Sequence, residues 1–134
     1  MKEHTGGCLC GAVRYAFTGE PRFVSLCHCT HCQKLSGGSY TINLLIREQD
    51  FKQQGATALF EDSGDSGHPV QRHFCGDCGS HIFAKIASAP GKIVLKGGTL
   101  DHPNDFTPQA EIYTCRASEW LLPVENTQRF DLGI

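Results

Sequence analysis

Three features of the sequence predict an all-β domain with little helix. Short apolar runs alternate with period two, turn residues recur roughly every 8–12 positions, and almost nothing follows a helical period. The chain has 134 residues, 40% apolar and 19% charged, a balance typical of a globular domain. That length supports one core, so residues 1–134 are expected to form a single domain. The formal charge is −2, from 12 basic and 14 acidic side chains, with no basic run longer than two. A nucleic-acid partner is therefore not expected.

Cys8–Phe17 reads as a first strand, with Val13, Tyr15 and Phe17 on one face and Arg14 on the other. The same alternation places Cys8 and Cys10 on a shared face. Glu20-Pro21 ends this strand, and Phe23–Leu26 is a second. Thr30–Leu35 has room for one or two helical turns, with Thr30 as N-cap, before Ser36-Gly37-Gly38 breaks them. Ser39–Ile46 is a strand rich in β-branched and aliphatic residues, and Glu48–Gln54 is a polar turn anchored by Phe51.

Ala58–Glu61 and Val70–Phe74 are the arms of a hairpin. Its tip, residues 62–69, is too rich in glycine and charge for regular structure, and serves either as a mobile end or as a lid. His81–Ala87 and Lys92–Lys96 form a second hairpin, and Glu111–Cys115 is the last strand. Trp120, the only tryptophan, sits in the tail.

Seven of the eight cysteines cluster: Cys8 with Cys10, Cys27 with Cys29 and Cys32, and Cys75 with Cys78. The first residues, MKEHTGG, are polar, and no apolar run approaches the roughly 18 residues needed to span a bilayer. A soluble cytoplasmic protein without a membrane partner is expected, and a reducing compartment favours metal over disulfides at these spacings. Cys75-Gly76-Asp77-Cys78-Gly79 has the form of a zinc knuckle, which supplies two ligands and needs two more. Cys8 and Cys10 are the economical partners, completing a closed four-thiolate site. Such a site contributes on the order of 10–16 kcal/mol, comparable to or larger than the net stability of a typical domain.

Cys27, Cys29 and Cys32 supply three ligands from one short loop, the open pattern of a catalytic zinc. His28, His31, His73 and His81 are candidates for a fourth protein ligand that would close it. The spacing leaves open an exchanged grouping of Cys8/Cys10 with Cys29/Cys32, and an iron–sulfur cluster fits the C-x-C spacing less well. Cys115 is isolated and is expected to be an inert thiol inside a strand.

The segments GGCLCGAVRY, CHCTHCQKLSGG and FCGDCGSHIF, in that order, resemble the glutathione-dependent formaldehyde-activating enzyme family, which also includes the centromere protein V domain. The resemblance runs from about Gly6 to Trp120. It implies a β-tent fold, antiparallel sheets organised around zinc. It also implies two zinc ions per chain: a structural one at Cys8, Cys10, Cys75 and Cys78, and a labile catalytic one at Cys27, Cys29 and Cys32. Where the family commonly has a basic residue after the central C-x-x-C, this chain has Gln33 and Lys34.

The implied activity is that of a carbon–sulfur lyase, joining glutathione to formaldehyde as S-hydroxymethylglutathione. An open zinc position stabilises a thiolate at neutral pH or polarises an aldehyde oxygen. Three cysteine thiolates leave the site net negative, which favours thiolate activation. Glutathione's two carboxylates call for cations or backbone N–H groups, for which Lys34 and Arg116 are candidates, with Trp120 as a pocket wall or a core residue. Two other readings stand beside this one: a thiol-adduct enzyme for another small electrophile, and a non-catalytic zinc-stabilised binding module. A fourth protein ligand on the Cys27 group would favour the module.

Overall fold

The computed structural model describes residues 1–64 and 67–133. Alternation along β2 (Arg14–Thr18) buries Tyr15 and Phe17 and leaves Arg14 outside. This strand pairs antiparallel with β1 (Glu3–Gly7) and β5 (Phe51–Gln54) to make a three-stranded sheet. Six other strands form the body of an eight-stranded sheet: β3 (Phe23–Cys27), β4 (Thr41–Arg47), β6 (Ala58–Asp62), β7 (Val70–Phe74), β8 (His81–Ile86) and β9 (Lys92–Lys96). β10 (Ala110–Ile112) and β11 (Gln128–Arg129) complete it in the order β11-β10-β3-β4-β9-β8-β7-β6. α1 (Thr30–Ser36) is the only α-helix among the described residues, and no helix is long and apolar enough to cross a membrane. The fold is all-β with little helix, as the patterning predicts.

Period two divides the large sheet into two unlike faces. Val24, Leu44, Ile93, Leu95 and Phe83 point to one side and share a core with Val13, Tyr15 and Phe17 of the smaller sheet. Ring contacts continue across this layer, Tyr15 to Phe51 at 5.5 Å and Phe51 to Phe83 at 5.1 Å. The opposite side carries the alternate residues: Val70 and Arg72, Ala84 and Ile86, Val94 and Lys96, then Asn43 and Cys27. The register pairs Arg72 with Ala84, Ala84 with Val94, Asn43 with Lys96 and Cys27 with Thr41. That second face lines a cavity instead of packing into the core.

Several expectations are corrected by the structure. Cys8–Phe17 is not one strand: Cys8–Gly11 is a turn between β1 and β2, closed by the Cys8 N–H on Val13 O at 3.0 Å. Gly11 sits there at φ 84°, a conformation that suits glycine. Glu48–Gln54 is a single 3-10 turn followed by β5, because Phe51 packs on Tyr15 and draws the segment into the small sheet. The sheets are not wholly antiparallel, since β10 runs parallel to both β3 and β11. Cys115 lies not in a strand interior but in an exposed 3-10 turn, Thr114–Arg116, after Tyr113 reverses the chain at φ 54°. Of the hairpin tip, Asp65 and Ser66 lie outside the described residues.

At Gly6 the small sheet meets the 3-10 turn Gly97–Thr99 that follows β9. A Cβ there would collide with the Tyr15 hydroxyl and stand 2.5 Å from the Thr99 carbonyl oxygen. Tyr15 is itself held by a 2.8 Å hydrogen bond to Thr99 Oγ1, so neither neighbour can retreat cheaply. Gly6→Ala is expected to cost about 2–3 kcal/mol of stability, measured as a lower urea midpoint with an unchanged m-value.

Candidate metal centres and the cavity beside one of them

Four thiols from two turns converge beside the core. Cys8 and Cys10 come from the β1–β2 turn, and Cys75 and Cys78 from the turn between β7 and β8; their sulfurs all lie within 4.8 Å of one another. Cys8 Sγ is 3.6 Å from Cys10 Sγ, which is 3.7 Å from Cys75 Sγ. Tetrahedral zinc with Zn–S bonds of about 2.3 Å requires sulfurs about 3.8 Å apart, so this group has the dimensions of a zinc cage.

Local backbone prepares it. Gly79, at φ 80°, closes the knuckle by donating to Cys75 O at 2.8 Å, and Val13 N–H points at Cys8 Sγ at 3.2 Å. Ser80 joins the two turns: its hydroxyl accepts from Leu9 N–H at 3.1 Å and reaches Cys78 Sγ at 3.2 Å. The Ser80 hydroxyl holds the Cys78 thiol down to about 5, and Val13 N–H lowers Cys8. The Ala12 N–H favours the Cys10 thiolate as well, but the bonds shared with Cys8 and Cys75 push that thiol up to about 12. Four sulfurs this close cannot all ionise unaided, and a dication would resolve the conflict.

Cys27, Cys29 and Cys32 form the second group, all buried and again within 4.8 Å of one another. Cys27 ends β3, which aims its side chain at the non-core face. The helix that follows is capped by Cys29, not Thr30: Cys29 Sγ accepts from Cys32 N–H at 3.3 Å. A sulfur placed to receive an N–H is also placed to be a thiolate ligand. Hydrogen bonds to Cys29 and Cys32 push the Cys27 thiol far up, while those from Cys27 and Cys29 push Cys32 far down. Three thiols this close cannot all ionise unaided.

No fourth ligand joins this group among the described residues. His28 turns away, its Nε2 donating to Glu111 Oε1 at 2.8 Å; His31 Nδ1 lies 2.8 Å from Asp62 Oδ2. His73 stacks on Phe83 at 4.3 Å and meets Thr57 Oγ1 at 2.9 Å. Burial drives His81 down to about 3, so it is neutral at ordinary pH. Instead of a ligand, a cavity of about 460 Å³ opens over Cys27, Cys29 and Cys32. Val94, Ile86 and Ile112 give it apolar walls, Arg72 and Lys96 supply cations, and no carboxylate lines it among the described residues. Gly64 and His68, from the ends of the β6–β7 tip, reach its rim. None of the four cysteines of the first group lines it.

Arg72, Lys96, Asn43 and Tyr113 are absent from the sequence-based candidates. On β7, period two places Arg72 on the parity of Val70 and Phe74, so a cation at an apolar position was the available signal, whereas Lys96 shares its parity with Lys92 and Val94 on β9 and carried none. The candidates Lys34 and Arg116 are exposed and do not line the cavity. Arg116 contributes its carbonyl, which accepts from Gln33 Nε2 at 2.9 Å; the same amide reaches His28 O at 2.7 Å and ties the cysteine loop to the chain's end. Trp120 is 74% exposed, so it neither walls the cavity nor fills the core.

Fold and site together define a class: a β protein with one four-thiol group beside its core and one three-thiol group under a cavity. The sequence profile described as glutathione-dependent formaldehyde-activating enzyme matches residues 3–116, and the chain belongs to that family. A Halomonas elongata protein with the provisional name glutathione-dependent formaldehyde-activating enzyme is 35% identical over 83 residues, 58% of this chain and 53% of that protein. The chain thus matches about half the length of that relative. The crystal structure of a Rhodobacter sphaeroides protein shares the fold, with a TM-score of 0.59 at 22% identity, covering 75% of this chain and 93% of that one.

Asp62 joins the hairpin to the cysteine-loop helix, taking His31 Nδ1 at 2.8 Å and Arg72 Nε at 2.9 Å. Burial opposes its ionisation, but the bonds from His31 and Arg72 prevail and hold its carboxyl at about 2. A carboxyl depressed when folded stabilises above its unfolded value, about 3.9, and that contribution drains away as pH falls towards 2. Asp62→Asn is expected to lose about 1–2 kcal/mol at pH 7, with the gap to wild type closing below pH 3 in urea titrations.

Proposed function

We propose that the chain catalyses addition of a thiol, glutathione or a close relative, to formaldehyde or another small aldehyde, a carbon–sulfur lyase reaction run in the bond-forming direction. The observation that carries this reading is the difference between the two thiol groups. One has four sulfurs and lies away from the cavity; the other has three sulfurs and forms part of the cavity wall. Cys8, Cys10, Cys75 and Cys78 would hold a structural zinc, and Cys27, Cys29 and Cys32 a catalytic one. When bound, the catalytic zinc supplies thiolate stabilisation at neutral pH.

The chain's own residues then do the selecting. A cavity of about 460 Å³ with partly apolar walls accommodates a small peptide thiol. Arg72 and Lys96 line it, and cationic side chains there suit a substrate bearing carboxylates. The cations come from the strands of the large sheet rather than from the helix or tail. His28 and Gln33 hold the cysteine loop in place, through Glu111 and the Arg116 carbonyl. We place all of this within a single domain in the cytoplasm.

Metal counting and a thiol–aldehyde assay, corrected for the uncatalysed addition, test the reading. Wild type should carry about two zinc ions, and Cys29→Ser about one, with its circular dichroism intact and its turnover lost. Cys78→Ser should be insoluble or unfolded. Full turnover in Cys29→Ser would refute the assignment.

A further inference from the structure

Burying an ammonium is expensive, because it surrenders strong hydration, and a fold ordinarily answers it with a carboxylate. Lys96 is only 6% exposed, yet its hydrogen-bond contacts are an amide and a thiol. Nζ donates to Asn43 Oδ1 at 2.9 Å and lies 4.0 Å from Cys32 Sγ. Asn43 is its direct partner across β4 and β9, and Thr41 Oγ1 donates to the same Oδ1 at 2.9 Å, so the amide is held in one orientation. The other strand cation of the cavity, Arg72, is matched by Asp62. Among the described residues no carboxylate pairs with Lys96.

An ammonium has three N–H bonds. Asn43 occupies one and Cys32 lies along a second, while the side chain also forms part of the cavity wall. A cation fixed beside the three thiols is where an electrophile's oxygen must lie if its carbon is to face a thiolate gathered there. We propose that Lys96 is a catalytic residue of the addition, its ammonium receiving the aldehyde oxygen and stabilising the negative charge which that oxygen acquires. This rests on the thiol–aldehyde reading above. In the step, a thiolate electron pair forms the C–S bond and the C=O π pair moves to oxygen. That oxygen then takes up one proton, equal in number to the one the thiol released, so no oxidant or reductant is needed. Charge developing on oxygen against a preset donor is where such a contact contributes most.

The test compares metal-loaded wild type with Lys96→Met, which keeps the side chain's length, and Lys96→Arg, which keeps its charge. Three readouts are taken: zinc content, formaldehyde–glutathione turnover, and calorimetric binding of two unreactive thioethers, S-carboxymethylglutathione and S-ethylglutathione. The carboxymethyl group carries an anionic oxygen close to where the product oxygen forms. Lys96→Met should lose about 100-fold in kcat with zinc content and KM for the thiol unchanged. It should also lose a roughly tenfold preference for the carboxymethyl thioether that wild type and Lys96→Arg retain. Lys96→Met turning over within about threefold of wild type would overturn the proposal. So would loss of one zinc in Lys96→Met restored by Lys96→Arg, which would make the residue a charge balance for the sulfurs. Absence of catalysed turnover in wild type would remove the thiol–aldehyde reading, and this proposal with it.

Discussion

Sulfurs 3.6–3.7 Å apart, drawn from turns some 65 residues distant in sequence, impose the tightest geometric demand in the molecule. Cys8 and Cys10 belong to the small sheet's hairpin and Cys75 and Cys78 to the large sheet's, so their convergence pins one sheet over one face of the other. Ser80 reinforces the junction with a hydroxyl shared between the two turns. Once that face is covered and filled with Tyr15, Phe17, Leu44 and Leu95, the opposite face is left to do something other than pack.

What occupies it follows from the pleat. The residues that alternate with the core positions on β3, β4, β7, β8 and β9 bring a thiol, an amide, two cations and a few aliphatic side chains to one surface. The three-thiol group sits at one end of this surface because β3 delivers Cys27 and the next turn delivers Cys29 and Cys32 within helix-capping distance. The two cysteine groups therefore differ in setting as much as in number. One joins two layers; the other opens onto a cavity that Arg72 and Lys96 also line.

Charge balance at the second group is more even than ligand counting suggests. Three thiolates around a dication leave a net negative site, and considered alone that favours a nucleophilic thiolate over Lewis-acid activation. Lys96, 4.0 Å from Cys32 Sγ, returns a positive charge to the same few ångströms. On the proposed reading, a metal held by the sulfurs would favour a thiolate while Lys96 would offer a cation to an oxygen.

The periodicity of short strands made the all-β class legible, and ligand spacing made both cysteine groups legible, because each depends on neighbours a few residues apart. Local conflicts were misread where two signals shared a segment. Cys8 and Cys10 alternate like strand residues but sit in a turn closed by Gly11, and Cys29 rather than Thr30 caps α1 because its sulfur must receive an N–H. Lys34, Arg116 and Trp120, chosen for residue type near the motifs, stand outside the cavity. Tyr113 interrupts what reads as a strand with a left-handed turn.

Sequence by itself determined which residues could gather, through period-two faces and thiols spaced for chelation. Only the tertiary structure decided which faces look inward onto core and which onto a cavity, and hence that Arg72 and Lys96 line that cavity. The physical reason is that burial belongs to the packing of two sheets, set by contacts between residues far apart in the chain, whereas alternation and chelate spacing are written within a few residues of one another.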